Sequence, residues 1–273
     1  MSPLWRDRIT VELSPQRVAW VRMARSLRPF VMAKGIVIVP PQTELPAWRS
    51  ALDQFKQLMT TEEWKNSELT IVLSNYFVRY DCLPWNEGVK NEDEHLALAL
   101  HRLTQIYGAV AQNWSLRLSP AGKDAARMVA AVDHDLIESI KLATAEAKLK
   151  LRSIQPCLMT SFNRYAKEMG LGTAWFVTVE AGRFALALFR GGKLKHIQLR
   201  SGEGVEELHD WLERENLTSG EEPSCREVYL FAPELHKEAA LPGYQLHRLE
   251  LPASPGYSPI TDVQYTIAMS GTA

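Results

Sequence analysis

No stretch of this 273-residue sequence approaches the roughly 18 consecutive apolar residues that a membrane-crossing helix requires. The opening run Met1-Ser2-Pro3-Leu4-Trp5-Arg6-Asp7-Arg8 also lacks the apolar core of a signal peptide. The expectation is an intracellular chain that inserts into no bilayer unaided. Cysteine is scarce: Cys82, Cys157 and Cys225 are widely spaced and form no CxxC, which excludes a disulfide framework or a zinc knuckle and suits buried thiols in a reducing compartment. Neither sign of charge is in excess, with 31 Lys and Arg against 32 Asp and Glu and a net charge of −1. Such a chain has no global field to gather nucleic acid or an anionic membrane. The local run Arg17, Arg22, Arg25 and Arg28 reads as solvated strand and loop faces. G-x-S-x-G, Walker and H-E-x-x-H motifs are absent, so hydrolase, P-loop and zincin chemistry lack their minimum parts.

What is present is the balance of a globular protein, 46% hydrophobic and 23% charged, patterned into an α/β chain. Three short strands, Ile9–Leu13, Val18–Met23 and Ile36–Val39, are separated by turn residues. Pro46 then opens a helix whose stripe is Trp48, Ala51, Leu52, Phe55, Leu58 and Met59, and a strand follows at Leu69–Leu73. The same order recurs later: strands Ala174–Glu180, Arg183–Phe189 and Leu194–Leu199, a helix over Gly204–Asn216, and a strand at Glu227–Phe231. Between the copies lie strands at Phe77–Leu83, Ser115–Leu118 and Arg127–Val132 and helices over Asn91–Tyr107, Asp133–Leu149 and Cys157–Met169. Asn91 with Glu94 is a capping pair, and Gly108 suits the end of that helix. Pro252, Pro255, Gly256 and Pro259 make residues 252–273 read as an extended tail.

Several short signals have plainer structural readings. Gly202-Glu203-Gly204 precedes a helix, but Glu207 stands where a dinucleotide loop needs its third glycine. Asp133-His134-Asp135 falls at a helix start, where the dipole favours acids. His95 and His101 are six residues apart on one helix and so lie on different faces, unlike a helical metal pair.

A duplicated β-β-β-α-β unit with an insertion in the first copy resembles the actin-like, ribonuclease H-like architecture. The segment Leu73-Ser74-Asn75-Tyr76-Phe77-Val78-Arg79-Tyr80-Asp81-Cys82-Leu83-Pro84-Trp85 is similar to one in PilM-like proteins of type IV pilus assembly. The cytoplasmic actin-like domains of the type II secretion L protein and of MshI are also similar. The resemblance implies a first lobe over residues 1–169 with an insertion at about 76–132, a second lobe over 170–251, and the tail. It further implies a cytoplasmic protein, peripheral at the inner face of the cytoplasmic membrane, that holds the cytoplasmic tail of a bitopic inner-membrane partner. Phe77, Arg79, Tyr80 and Trp85 read either as core and rim packing of a strand or as anchors for that partner.

The same resemblance implies two nucleotide-binding turns, each with an Asp and a glycine. The first reads Val11-Glu12-Leu13-Ser14-Pro15-Gln16-Arg17, with Glu12 for Asp, Ser14 for Gly and a proline that removes a donor. The second reads Thr178-Val179-Glu180-Ala181-Gly182-Arg183, with Glu180 for Asp and Gly182 displaced. Ala232-Pro233-Glu234 occupies the place of a late Gly-Gly. The leading expectation is therefore a scaffold that is not an enzyme and uses no cofactor or metal. A second reading is an ATPase or sugar kinase whose Glu12 and Glu180 serve Mg-ATP; a third is a small-molecule-binding α/β domain of unrelated topology.

Overall fold

A tight antiparallel meander, β1 (Arg8–Leu13), β2 (Arg17–Met23) and β3 (Val31–Ile38), opens the fold. In the computed structural model the described residues are 6–26, 29–41, 46–61, 64–65, 67–120, 122, 124–202, 204–218, 225–235 and 240–272. Helix α1 (Arg49–Met59) buries Ala51, Leu52, Phe55 and Met59, the stripe that its spacing predicts. Strand β4 (Glu68–Leu73) then returns parallel to β1, Arg8 opposite Glu68 and Leu13 opposite Leu73. With β8 (Lys150–Pro156) beyond it, the sheet order is β3-β2-β1-β4-β8. Strand β4 is buried from end to end and β1 everywhere but at Arg8, as strands in the middle of a covered sheet are.

The second copy repeats this topology. Strands β9 (Thr173–Glu180), β10 (Arg183–Arg190) and β11 (Lys193–Ser201), helix α5 (Val205–Thr218), and strands β12 (Glu227–Phe231) and β13 (Gln245–Arg248) give the order β11-β10-β9-β12-β13. Strand β12 runs parallel to β9 as β4 does to β1. Trp175, Val177, Phe184, Leu186 and Leu188 meet Leu208 and Leu212 of α5 in one apolar core. At its rim the indole N–H of Trp175 donates to Asn216 Oδ1 at 3.0 Å, and the Asn216 amide donates to the Cys225 carbonyl and the Tyr244 hydroxyl, each at 3.0 Å.

Between the copies run β5 (Val78–Leu83), α2 (Glu92–Tyr107), a 3-10 turn (Gly108–Asn113), β6 (Trp114–Leu118), β7 (Arg127–Asp133), α3 (His134–Glu146) and α4 (Cys157–Met169). Strands β5, β7 and β6 form a separate antiparallel sheet covered by α2, with Leu83, Ala99, Leu103, Val129 and Ala131 as its core. Asn91 accepts the Glu94 N–H at 2.9 Å, and the Glu94 carboxylate accepts from Lys90 N–H at 2.8 Å, one residue earlier than a standard capping box. The chain divides into two compact units, Met1–Phe77 with His134–Arg164 and Glu250–Ala273, and Val78–Asp133 with Tyr165–Leu249. The insertion thus clusters with the second repeat, where its edge strand β5 runs beside the edge strand β11. Among the described residues no helix is long and apolar enough to cross a membrane.

Two expectations are corrected. Residues 252–273 are not an extended tail: α6 (Thr266–Ser270) is buried along its length and packs on β1 and β2, because Ile267, Ala268 and Met269 cover the open face of the first sheet. A strap leads to it, with Val31 N–H donating to the Pro255 carbonyl at 2.9 Å and Lys34 Nζ bound to Asp262 at 2.6 Å and to the Gly256 carbonyl at 3.2 Å. Nor are Arg17 and Arg22 merely solvated. Arg17 pairs with the buried Glu12 at 3.1 Å and Arg22 with Asp7 at 2.7 Å, each cation lying on the same sheet face as its acid on the neighbouring strand. Arg28 lies outside the described residues.

Gly256 sits at φ +83°, and a Cβ there would come within 2.4 Å of the Val31 carbonyl oxygen. Gly256→Ala should therefore lower the unfolding free energy by about 2–3 kcal/mol in chemical denaturation and speed amide exchange in α6. A pH dependence follows from Glu215, which is 2% exposed. Burial alone would raise its pKa, but His196 at 2.6 Å and the Arg200 guanidinium bonded to it bring the carboxyl below its ordinary 4.5. A depressed carboxylate stabilises the fold above its unfolded pKa and loses that contribution as pH falls through the folded value. Denaturation midpoints measured downward from pH 5 should fall more steeply for the native chain than for Glu215→Gln.

Candidate functional site

The turn joining β1 to β2 is closed by its own backbone and side chains. Ser14 N–H donates to the Arg17 carbonyl at 3.0 Å, the Ser14 hydroxyl donates to the same carbonyl at 3.0 Å, and Arg17 N–H donates to Ser14 Oγ at 3.2 Å. Pro15 has no N–H to offer. The amides of Ser14 and Arg17 are thus committed within the turn, and the Gln16 amide alone is no nest for an anion. Glu12, 1% exposed, lies near the end of a strand whose partner carries Arg17, and its two oxygens face the Arg17 guanidinium at 3.2 and 3.3 Å. A carboxylate gripped in this two-pronged way has its charge already answered by the protein.

The second turn belongs to the other unit and is built differently. Ala181 and Gly182 join β9 to β10, Gly182 has φ 72°, and its carbonyl accepts from Gly202 N–H at 3.2 Å. Thr178 and Glu180 are both buried on β9, and Arg183 donates to Ser201 Oγ at 3.4 Å. The Gly202 that suggested a dinucleotide loop is a packing glycine: a Cβ there would lie 2.6 Å from the Phe184 ring and 2.5 Å from the Glu207 carboxylate. Glu203 lies outside the described residues. Ala232, which follows β12, is buried in the second core.

In the insertion the four aromatic and arginine candidates separate by exposure. Phe77 and Tyr80 are each 8% exposed, whereas Trp85 is 49% exposed on the loop that follows β5. Phe77 N–H closes a turn onto the Ser74 carbonyl at 3.0 Å. Arg79 is half-buried, and burial together with the nearby Arg183 depresses the basicity of its guanidinium. Beside it, Asp81 holds Arg102 of α2 through two hydrogen bonds of 2.7 and 3.1 Å. Burial and the Asp81 charge push the Cys82 thiol up to about 11, and it donates to the Lys195 carbonyl at 3.6 Å. That thiol is a structural link between β5 and β11 rather than a nucleophile.

Sequence reasoning missed an apolar group at the end of α2. Ile106, Tyr107 and Val110 are 60%, 39% and 53% exposed, and Tyr107 stacks edge-on against Trp114 with ring centroids 5.2 Å apart. Arg79 is within electrostatic reach of Tyr107. Nothing in the sequence signalled this exposure, because Ile106 continues the helical spacing of the buried Ala99 and Leu103 and so reads as core. His134 is exposed at the start of α3, and His95 is engaged with the Asn91 carbonyl at 2.7 Å. Among the described residues no group of three or more His, Cys, Asp or Glu side chains is placed to hold a metal ion.

No protein-family model matches the chain, and no curated protein matches it. Solved structures do. A PilM–PilN type IV pilus biogenesis complex aligns with TM-score 0.66 at 15% identity, covering 96% of each chain. The cytoplasmic domain of EpsL, an inner-membrane component of the type II secretion system of Vibrio cholerae, aligns with TM-score 0.58 at 11% identity, covering 97% of this chain and 94% of that one. A Bacteroides thetaiotaomicron protein of actin-like ATPase fold and unknown function aligns with TM-score 0.56 at 11% identity, covering 82% and 81%. The fold is therefore the actin-like one, and the pilus and secretion proteins that the Leu73–Trp85 segment resembles share it over nearly the whole chain.

Proposed function

We propose that this protein is an actin-like scaffold of a type IV pilus or type II secretion machine, which holds the cytoplasmic part of an inner-membrane partner and works without nucleotide hydrolysis. The observation that carries the second half is the first turn. Its proline lacks a donor, the amides of Ser14 and Arg17 bond within the turn, and its acid is held by Arg17. A triphosphate would have to displace the guanidinium from Glu12 and reopen the hairpin before finding a single oriented donor pair. The first half is supported by the fold shared with a PilM–PilN complex and with the EpsL cytoplasmic domain. Its seat on this chain is the insertion, where Trp85, Ile106, Tyr107 and Val110 expose apolar surface and Arg79 supplies a partly desolvated cation. Aromatic and arginine side chains of this kind are the ones that anchor interfaces.

Calorimetry with Mg-ATP decides the nucleotide question. No saturable heat is expected up to about millimolar ligand. Micromolar binding that is lost on Glu180→Ala would establish instead the reading in which Glu12 and Glu180 serve a metal.

Capture of the purified cytoplasmic tail of a co-encoded bitopic protein tests the scaffold role. Trp85→Ala should weaken it about tenfold with no change in thermal stability, since that side chain is half in solvent. Tyr80→Ala should instead cost about 3–5 kcal/mol of folding free energy, as emptying a buried aromatic site does. No capture at tens of micromolar removes the proposal.

A further inference from the structure

β3 is an edge strand, and its ladder with β2 determines which of its backbone groups are used. Val39 N–H donates to the Gln16 carbonyl at 2.9 Å, and the register continues with Val37 opposite Val18 and Gly35 opposite Trp20. Bonded residues alternate along an antiparallel ladder, so Val39, Val37 and Gly35 turn their backbone groups inward while Ile38, Ile36 and Lys34 turn theirs outward. The β1–β2 turn gives the same parity, since closure between Ser14 and Arg17 assigns Arg17, Ala19 and Val21 to β1 and leaves Val18 and Trp20 for β3. No described residue bonds the backbone N–H or carbonyl of Ile36 or Ile38.

Exposed edges are ordinarily blunted by charge, proline, a bulge or a cover. Here those devices frame a short window. On one side stand the bulge at Arg22/Met23 and the Pro255 carbonyl, which takes the Val31 N–H. On the other side Pro40 lacks a donor. Inside the window Gly35-Ile36-Val37-Ile38 carries no charge, and the Ile36 and Ile38 side chains are 37% and 68% exposed.

We infer that this window joins two copies of the chain, β3 pairing antiparallel with β3 of a second copy about a two-fold axis through Val37. That register sets Ile36 opposite Ile38 of the other copy in both directions as hydrogen-bonded pairs, so each outward N–H and carbonyl of the window meets a complement. Ile36 and Ile38 then lie side by side on one face, the kind of cross-strand pair that stabilises a sheet. Charge favours a second copy as the occupant. Lys34 is the strand's sole charged residue, it is held by Asp262 at 2.6 Å, and in this register it falls opposite Pro40, so no like charges meet. Because the contact is isologous, it closes after two chains and does not propagate. It lies in the first compact unit and does not rest on the proposed partner.

Sedimentation velocity on the full chain from about 1 to about 100 µM tests the inference. The weight-average mass should climb toward twice the 30.9 kDa of one chain, and amide exchange at Ile36 and Ile38 should slow as concentration rises. Ile38→Lys, at a site 68% exposed, should keep the mass at one chain with an unchanged melting temperature. Val37→Cys should give a single disulfide-linked dimer on oxidation where the native chain, with Cys82, Cys157 and Cys225, gives none. A single-chain mass at every concentration overturns the inference. So does a dimer that survives Ile38→Lys, a cross-linked ladder beyond two chains, or edge protection that arises only when a partner's tail is added.

Discussion

The parallel contact between the first strand of each repeat and the strand that returns after its helix is the constraint on which the rest of this protein hangs. β1 against β4 and β9 against β12 set the order of both sheets. A parallel return requires a crossover, so α1 and α5 are obliged to lie on a sheet face, and their apolar stripes are what hold them there. The two hairpin turns then fall at the equivalent end of each repeat, Ser14–Arg17 in one and Ala181–Gly182 in the other. The two turns differ in local chemistry, the first closed by Ser14 and Arg17 and the second by a glycine at φ 72°.

The repeat was legible because its central strands and helices carry the two simplest periodicities. Ile9, Val11 and Leu13 alternate along β1, Ile71 to Leu73 make a continuous apolar run in β4, and Leu208 and Leu212 recur at helical spacing. The fifth strand of each sheet was not legible. β8 reads Lys-Leu-Arg-Ser-Ile-Gln-Pro and β13 only Gln-Leu-His-Arg, because an edge strand is half solvated and need not alternate cleanly. The final segment was misread for a related reason. Prolines and Gly256 describe a strap with no pattern of its own, and the five buried residues after it are too few to show a period.

The candidate site was legible in part. Glu12 and Pro15 could be identified from the sequence alone, but that Arg17 would grip Glu12 depends on two strands being laid side by side, which no linear spacing encodes. In the stretch that carries the likeness to pilus proteins, the sequence left Phe77, Tyr80 and Trp85 open between packing and partner contact, and their exposures of 8%, 8% and 49% separate them only once the chain is folded. The Asp81–Arg102 pair spans two elements and was invisible for the same reason.

The way α6 lies on the first sheet has a consequence for how the chain is made. The first unit draws on segments far apart in the sequence, Met1–Phe77 and Glu250–Ala273 among them, with Thr266–Ser270 buried on β1 and β2. During vectorial synthesis the opening meander leaves the ribosome long before its cover exists, whereas β9 to β13 can close as soon as they emerge. The half translated first is thus the half completed last, and until Lys34 meets Asp262 the nascent sheet depends on chaperones or speed to keep its bare face from other chains.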